Sequence, residues 1–155
     1  MTDEREHRVQ RFVEGFAMSL VAAGVPRMPA RVFVQLLATD AGRLTAAELA
    51  EQLVASPAAI SGAVRYLMQV NLVAREREPG SRRDHYVVQD DVWYHATVRK
   101  DQLLAGLMSQ LDVGIQALGP GPAANRLLES RAFFAFVEKE MPLLLDRWER
   151  LKDQS

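Results

Sequence analysis

A mainly α fold with a small β-wing is predicted by three features of the chain. Two short amphipathic helices, TAAELAEQL and SPAAISGAVRYLMQVNLV, follow one another closely, and the arginine-bearing strand, turn and strand AREREPGSRRDHYVV comes directly after them. Almost every other segment has helical periodicity. Helix, turn, helix and hairpin in that order is the plan of a winged helix-turn-helix. The long flanking segments are expected to be N- and C-terminal dimerisation helices, which divides the chain into 1–25, 29–91 and 92–155.

Val9, Phe12, Val13, Phe16, Ala17, Leu20 and Val21 recur at i, i+3, i+4, i+7 and predict a first helix, closed by Gly24 and Pro26. A second is expected from near Pro29, burying Val32, Phe33, Leu36 and Leu37, with DAGRL as connector. Thr45 has the chemistry of an N-cap, and Glu48 three residues on completes a capping box over a buried stripe of Leu49, Ala50 and Leu53. Ser56 and Pro57 open the next helix with a capping hydroxyl and a proline at the first helical position. Val54-Ala55 is the turn between the two.

With about 100° per residue, Ile60, Ala63, Val64, Leu67, Val70 and Asn71 fall on one face of that helix and Ala58, Ser61, Gly62, Arg65 and Gln69 on the other. Val92 to Leu118 reads as one long helix, broken by GPGP at 119–122. The last helical stretch carries Leu127, Phe134, Val137, Met141, Leu144, Leu145, Trp148 and Leu151, with a kink or restart expected at Pro142.

Of the 155 residues 48% are hydrophobic and 25% charged, a folded rather than a disordered balance. Cysteine is absent, which removes disulfides and thiolate metal sites and agrees with a reducing compartment. MTDEREHRVQ is charged where a signal peptide is apolar, and no apolar run reaches membrane-spanning length, so a cytoplasmic protein without a membrane partner is expected. The formal charge is −1, yet between Ile60 and Arg83 five arginines stand against two glutamates. A local positive surface on a mildly acidic body is thus compatible with nucleic acid.

That surface holds the candidate site. A major groove admits an α-helix, and base edges are read by Arg, Ser, Gln and small apolar contacts. Ser56, Ala58, Ser61, Gly62, Arg65 and Gln69 are therefore candidate contacts to double-stranded DNA, Arg65 foremost and Ser56 mainly as a cap. On an isolated helix Arg65 would be read as a solvated side chain; the hairpin beside it changes that. In the hairpin, Arg75 and Arg77 share one face of the first strand and Pro79-Gly80-Ser81 is turn chemistry. Arg77, Arg82 and Arg83 are candidate contacts, with the tip arginines suited to a narrow minor groove. Asp84 is expected to pair with Arg82 or Arg83, leaving the other for phosphate.

His7, His85 and His95 stand in no metal-binding spacing, and the acidic Asp90 and Asp91 near His95 suit a helix start as well as a metal. No catalytic or phosphate-loop motif is present, so neither an enzyme nor a cofactor is expected. Trp93, Tyr94 and Trp148 are a candidate aromatic wall for an effector, although aromatics at helical spacing also serve as core. A protein-interaction module built on the same fold is the alternative function, with the arginine-rich face weighing against it.

TAAELAEQL, SPAAISGAVRYLMQVNLV and REREPGSRRDHYVV together resemble the winged-helix regulators of the MarR family, and REPGSRRD with SPAAISGAVRYL resembles its GbsR-like branch. The likeness is specific over Thr45 to Gln89. It implies a homodimer on a pseudo-palindromic operator, repression of transcription, and release by a small aromatic or, in the GbsR-like branch, choline-like effector. Ser56, Ser61 and Arg65 match recognition-helix positions of the family, and Arg82 and Arg83 match its wing.

Overall fold

The computed structural model describes residues 2–98 and 100–155. Met1, in the expected first segment, and Arg99, inside the helix expected over 92–118, lie outside the described residues. Contacts divide the chain into two compact units, 1–93 and 94–155.

In the first unit, α1 (Thr2–Ala22) packs on α2 (Arg27–Leu37), which also carries α3 (Ala46–Leu53) and α4 (Pro57–Gln69). Three short strands, β1 (Arg43–Thr45), β2 (Ala74–Arg77) and β3 (Asp84–Val87), form an antiparallel sheet in the order β1-β3-β2. Thr45 lies opposite His85, and Arg77 opposite Asp84. Val13 and Ala17 of α1 join Phe33, Leu36, Leu49, Leu53, Ile60 and Leu67 in one core. Burying each of the large side chains among these contributes about 1.5–3 kcal/mol. The fold is thus mainly helical with a small three-stranded wing and long terminal helices, as expected.

Local chemistry sets the helix ends. Thr45 Oγ1 accepts the Glu48 N–H and Glu48 Oε1 accepts the Thr45 N–H, both at 3.1 Å, so the capping box is complete. Ser56 Oγ accepts the Ala59 N–H at 3.1 Å. Three helices stop with the same crossed pair of backbone bonds around one left-handed residue. These are Gly24 after α1 (φ +106°), Asn71 after α4 (φ +61°) and Val54 after α3 (φ +52°).

Five expectations change. Leu37, expected inside with Val32, Phe33 and Leu36, is exposed as the last residue of α2. α2 starts at Arg27 rather than near Pro29, which occupies the first turn, where a missing N–H leaves no bond unmade. β1 forms inside what was expected to be connector. Val70 is more than a third exposed, because α4 ends at Gln69 and the wheel phase stops with it. The last helix, α7 (Pro122–Asp153), does not restart at Pro142; that proline is exposed, where the carbonyl it leaves free can meet water.

α5 (Val92–Val98) crosses the boundary between the units. The second unit is otherwise α6 (Lys100–Leu118) and α7, folded back on each other through Gly119 to Gly121. Leu104, Met108 and Ala124 are buried there, and Arg131 pairs with Asp112 across the two helices. A Cβ on Gly114 would come within 2.9 Å of Leu127, which marks the close approach of α6 to α7.

Hydrogen bonds from the Thr45 backbone and hydroxyl hold the Glu48 carboxyl below its usual value of 4.5, with smaller help from His85 and Arg83. A lowered folded-state value stabilises the fold above the unfolded value and loses that contribution as the pH falls through the folded one. Glu48→Gln should therefore be less stable than the parent at pH 7, and the gap should close as the pH drops below 4.5, measured by urea unfolding.

Candidate nucleic-acid interface

The two faces of α4 are cleanly separated. Ile60, Ala63, Val64 and Leu67 are buried, whereas Ser56, Ala58, Ser61, Gly62, Arg65 and Gln69 are all exposed. The structure thus brings the six helix candidates together on one open surface. Gly62 sits mid-helix, where glycine costs about 1 kcal/mol relative to alanine. A methyl group placed there would meet nothing within 4 Å, so no packing within the chain accounts for it.

The turn ahead of α4 holds a residue that sequence rules would not place there. Val54 is left-handed and 91% exposed. A β-branched side chain in that conformation costs about 1–2 kcal/mol, and this one buries almost nothing in return. Its carbonyl neighbour, Leu53 O, accepts a bond from Arg31 Nη2 at 3.0 Å.

In the wing, Gly80 takes φ +80° after Pro79, and the Ser81 N–H closes the turn on Glu78 O at 3.0 Å. Ser81 Oγ then accepts the Arg83 N–H at 3.1 Å. Asp84 does not pair with Arg82 or Arg83 as expected. It lies 3.5 Å from Arg77 Nε and 3.9 Å from Arg75 Nε. The register decides this: Arg77 is the direct cross-strand partner of Asp84 and Arg75 its diagonal neighbour. On the opposite face Glu76 takes Arg43 of β1 at 3.3 Å. Arg82 and Arg83 are exposed. Arg83 also lines a shallow cleft of about 410 Å³ with Thr45, Ala46 and Ala47, at the positive end of α3.

No local sequence pattern marks this last arrangement, because a three-residue strand has too little alternation to be seen. The same holds for Arg43, whose pairing with Glu76 depends on that strand. Of the candidate effector residues, Trp93 packs edge-on against Phe33 with centroids 5.3 Å apart. Tyr94 packs edge-on against His95 at 5.6 Å. Trp148 lies on α7 and is about half exposed. Among the described residues no group of three His, Asp or Glu is placed to hold a metal, and no helix is long and apolar enough to cross a membrane.

The profile of the MarR family matches residues 23–84, which include α2 to the tip of the wing. That of the MmpR5-like MarR family transcriptional regulators matches 91–151, so two consecutive matches within one family take in most of the chain. The chain belongs to the MarR family. A curated relative, the HTH-type transcriptional regulator MmpR5 of Mycobacterium tuberculosis, is 29% identical over 145 residues, 92% of this chain and 88% of the relative. A crystal structure described as that of a transcriptional regulator superposes with a TM-score of 0.86 at 28% identity, covering 92% of this chain and 99% of the other. As a MarR-family protein the chain is a DNA-binding transcriptional regulator and not an enzyme.

Gly62→Ala separates folding from binding at the α4 face. It should raise stability to urea by about 0.5–1 kcal/mol, because the alanine meets no neighbour and loses less entropy. The same variant should bind duplex DNA more weakly by gel shift, since the added methyl stands where a groove floor would approach.

Proposed function

We propose that this MarR-family regulator acts as a homodimer that reads a pseudo-palindromic operator and represses transcription until a small effector releases it. In this reading α4 enters the major groove through Ala58, Ser61, Gly62, Arg65 and Gln69, and Ser56 caps it. Arg82 and Arg83 reach the adjoining backbone or minor groove, with Arg77 behind them. The observation that carries the proposal is that one face of α4 is buried while every candidate on the other is exposed, in the same unit as the exposed tip arginines.

Dimerisation through 1–25 and 92–155 is supported by apolar surface that one copy leaves bare. Phe133, Phe136, Leu143, Leu144 and Leu151 of α7 are all exposed, as are Phe12 and Met18 of α1. Surface of this kind on a soluble protein marks an interaction site, and a two-fold reader needs two such helices about one DNA turn apart. An aromatic effector would stack on aromatic side chains, for which the candidates are Trp93 in the first unit and, separately, Tyr94 and Trp148 in the second. The GbsR-like likeness enters this proposal for the reader alone, since 91–151 match the MmpR5-like regulators.

Selection of bound fragments from random duplexes supplies the operator and the test. Arg65→Ala should cost about 1–3 kcal/mol on the selected site and relax base preference. Arg83→Ala should weaken all duplexes alike and lower the salt slope by about 1. If neither variant changes binding, the reading surface is misassigned; a protein partner held at high salt without any duplex shift would favour an interaction module instead.

The dimer is tested separately. Leu144→Glu places a charge on the bare face of α7 and should sediment as a monomer with reduced operator affinity. A parent protein that is itself monomeric at micromolar concentration would overturn the proposal.

A further inference from the structure

Arg31 joins three helices at one guanidinium. It leaves α2 with its side chain only 18% exposed, and its Nη2 lies 3.0 Å from Glu14 Oε1 on α1. Nε donates to the same carboxylate oxygen at 3.1 Å, and Nη1 lies 3.4 Å from Met28 Sδ on α2 itself. Nη2 also donates to Leu53 O at 3.0 Å, the last carbonyl of α3 before left-handed Val54. Ser56 and the first turn of α4 come directly after.

A planar guanidinium cannot satisfy two acceptors on different helices without fixing their separation and direction. If this position served packing alone, an apolar side chain of like volume would fill it without the cost of withdrawing a charge from water. The carbonyl it takes lies at the negative end of α3, where a cation is favoured. The turn it holds carries the left-handed Val54, a conformation that neighbouring contacts must hold in place. At the far end of the same connection, α1 exposes Phe12 and Met18, the surface on which a second copy or a ligand would press.

We propose that Arg31 is a positioning residue that ties the turn preceding α4 to α1, so that a displacement of α1 is transmitted to the DNA-reading face. This rests on the DNA-reading function proposed above and adds how that face is regulated. Glu14 is the end of the connection that moves; Leu53 O is the end that responds.

The test compares the parent protein with Arg31→Met, Glu14→Ala and the double variant, on the selected operator and on a random duplex. Each single variant should lose about three- to thirtyfold in operator affinity, the range expected of coupling residues, with random-duplex binding unchanged. The double variant should lose no more than Arg31→Met alone, and amide exchange at residues 53–56 should quicken in all three. Operator binding equal to the parent's, equal losses on both duplexes, or losses that add in the double variant would each overturn the proposal. Should Arg31→Met not fold, Glu14→Ala carries the test, because that carboxylate is already 41% exposed. A parent that binds no duplex removes the DNA-reading function instead, and unchanged exchange at 53–56 in Glu14→Ala then overturns the coupling by itself.

Discussion

Burial of Ile60, Ala63, Val64 and Leu67 against α2 and α3 is the constraint on which the first unit depends. Those four side chains fix the rotation of α4 about its own axis, and that rotation decides which residues meet solvent. Arg65 and Gln69 are outward because Val64 and Leu67 are inward, not because of any interaction of their own. The same core takes Val13 and Ala17 from α1, so the N-terminal helix and the candidate recognition helix share one packed interior.

Much of this was legible in the chain because it is encoded locally. The Thr45 and Glu48 reciprocal cap, the Ser56-Pro57 start and the 3.6-residue periodicity each need only a few neighbouring residues to act. Every helix candidate for the DNA-facing side emerged exposed for the same reason. What stayed hidden depends on partners distant in sequence or on conformations contrary to preference. Asp84 chose Arg77 and Arg75 through strand register, which a linear reading of RRD cannot supply. Val54 occupies a position where glycine or asparagine is the usual signal, so nothing in its identity announces a left-handed turn. The Arg31 connection spans α1 to α3 and has no motif at all.

The two units differ in how much of their own stability they supply. The first closes a core of large, fully buried side chains around a capped set of helices. The second is largely a pair of helices whose buried contribution among the described residues is Leu104, Met108 and Ala124. One ion pair, Arg131 with Asp112, and one close approach at Gly114 set how α6 lies on α7. An exposed ion pair contributes little to stability, so it specifies the arrangement more than it strengthens it. A helix of 32 residues, about 48 Å long, presents far more apolar surface than α6 alone can cover.

The internal pairing of the wing arginines bears on how quickly a duplex is found. Arg43, Arg75 and Arg77 each have a carboxylate beside them, and the whole chain carries −1. Beyond about 8–10 Å a net charge of this size is screened and gives no long-range pull. If the tip arginines meet phosphate as proposed, they steer the encounter only at short range, and its rate would lie near that of an unsteered pair, about 10⁵–10⁶ per molar per second. In that reading a duplex is met by repeated collision rather than by long-range guidance.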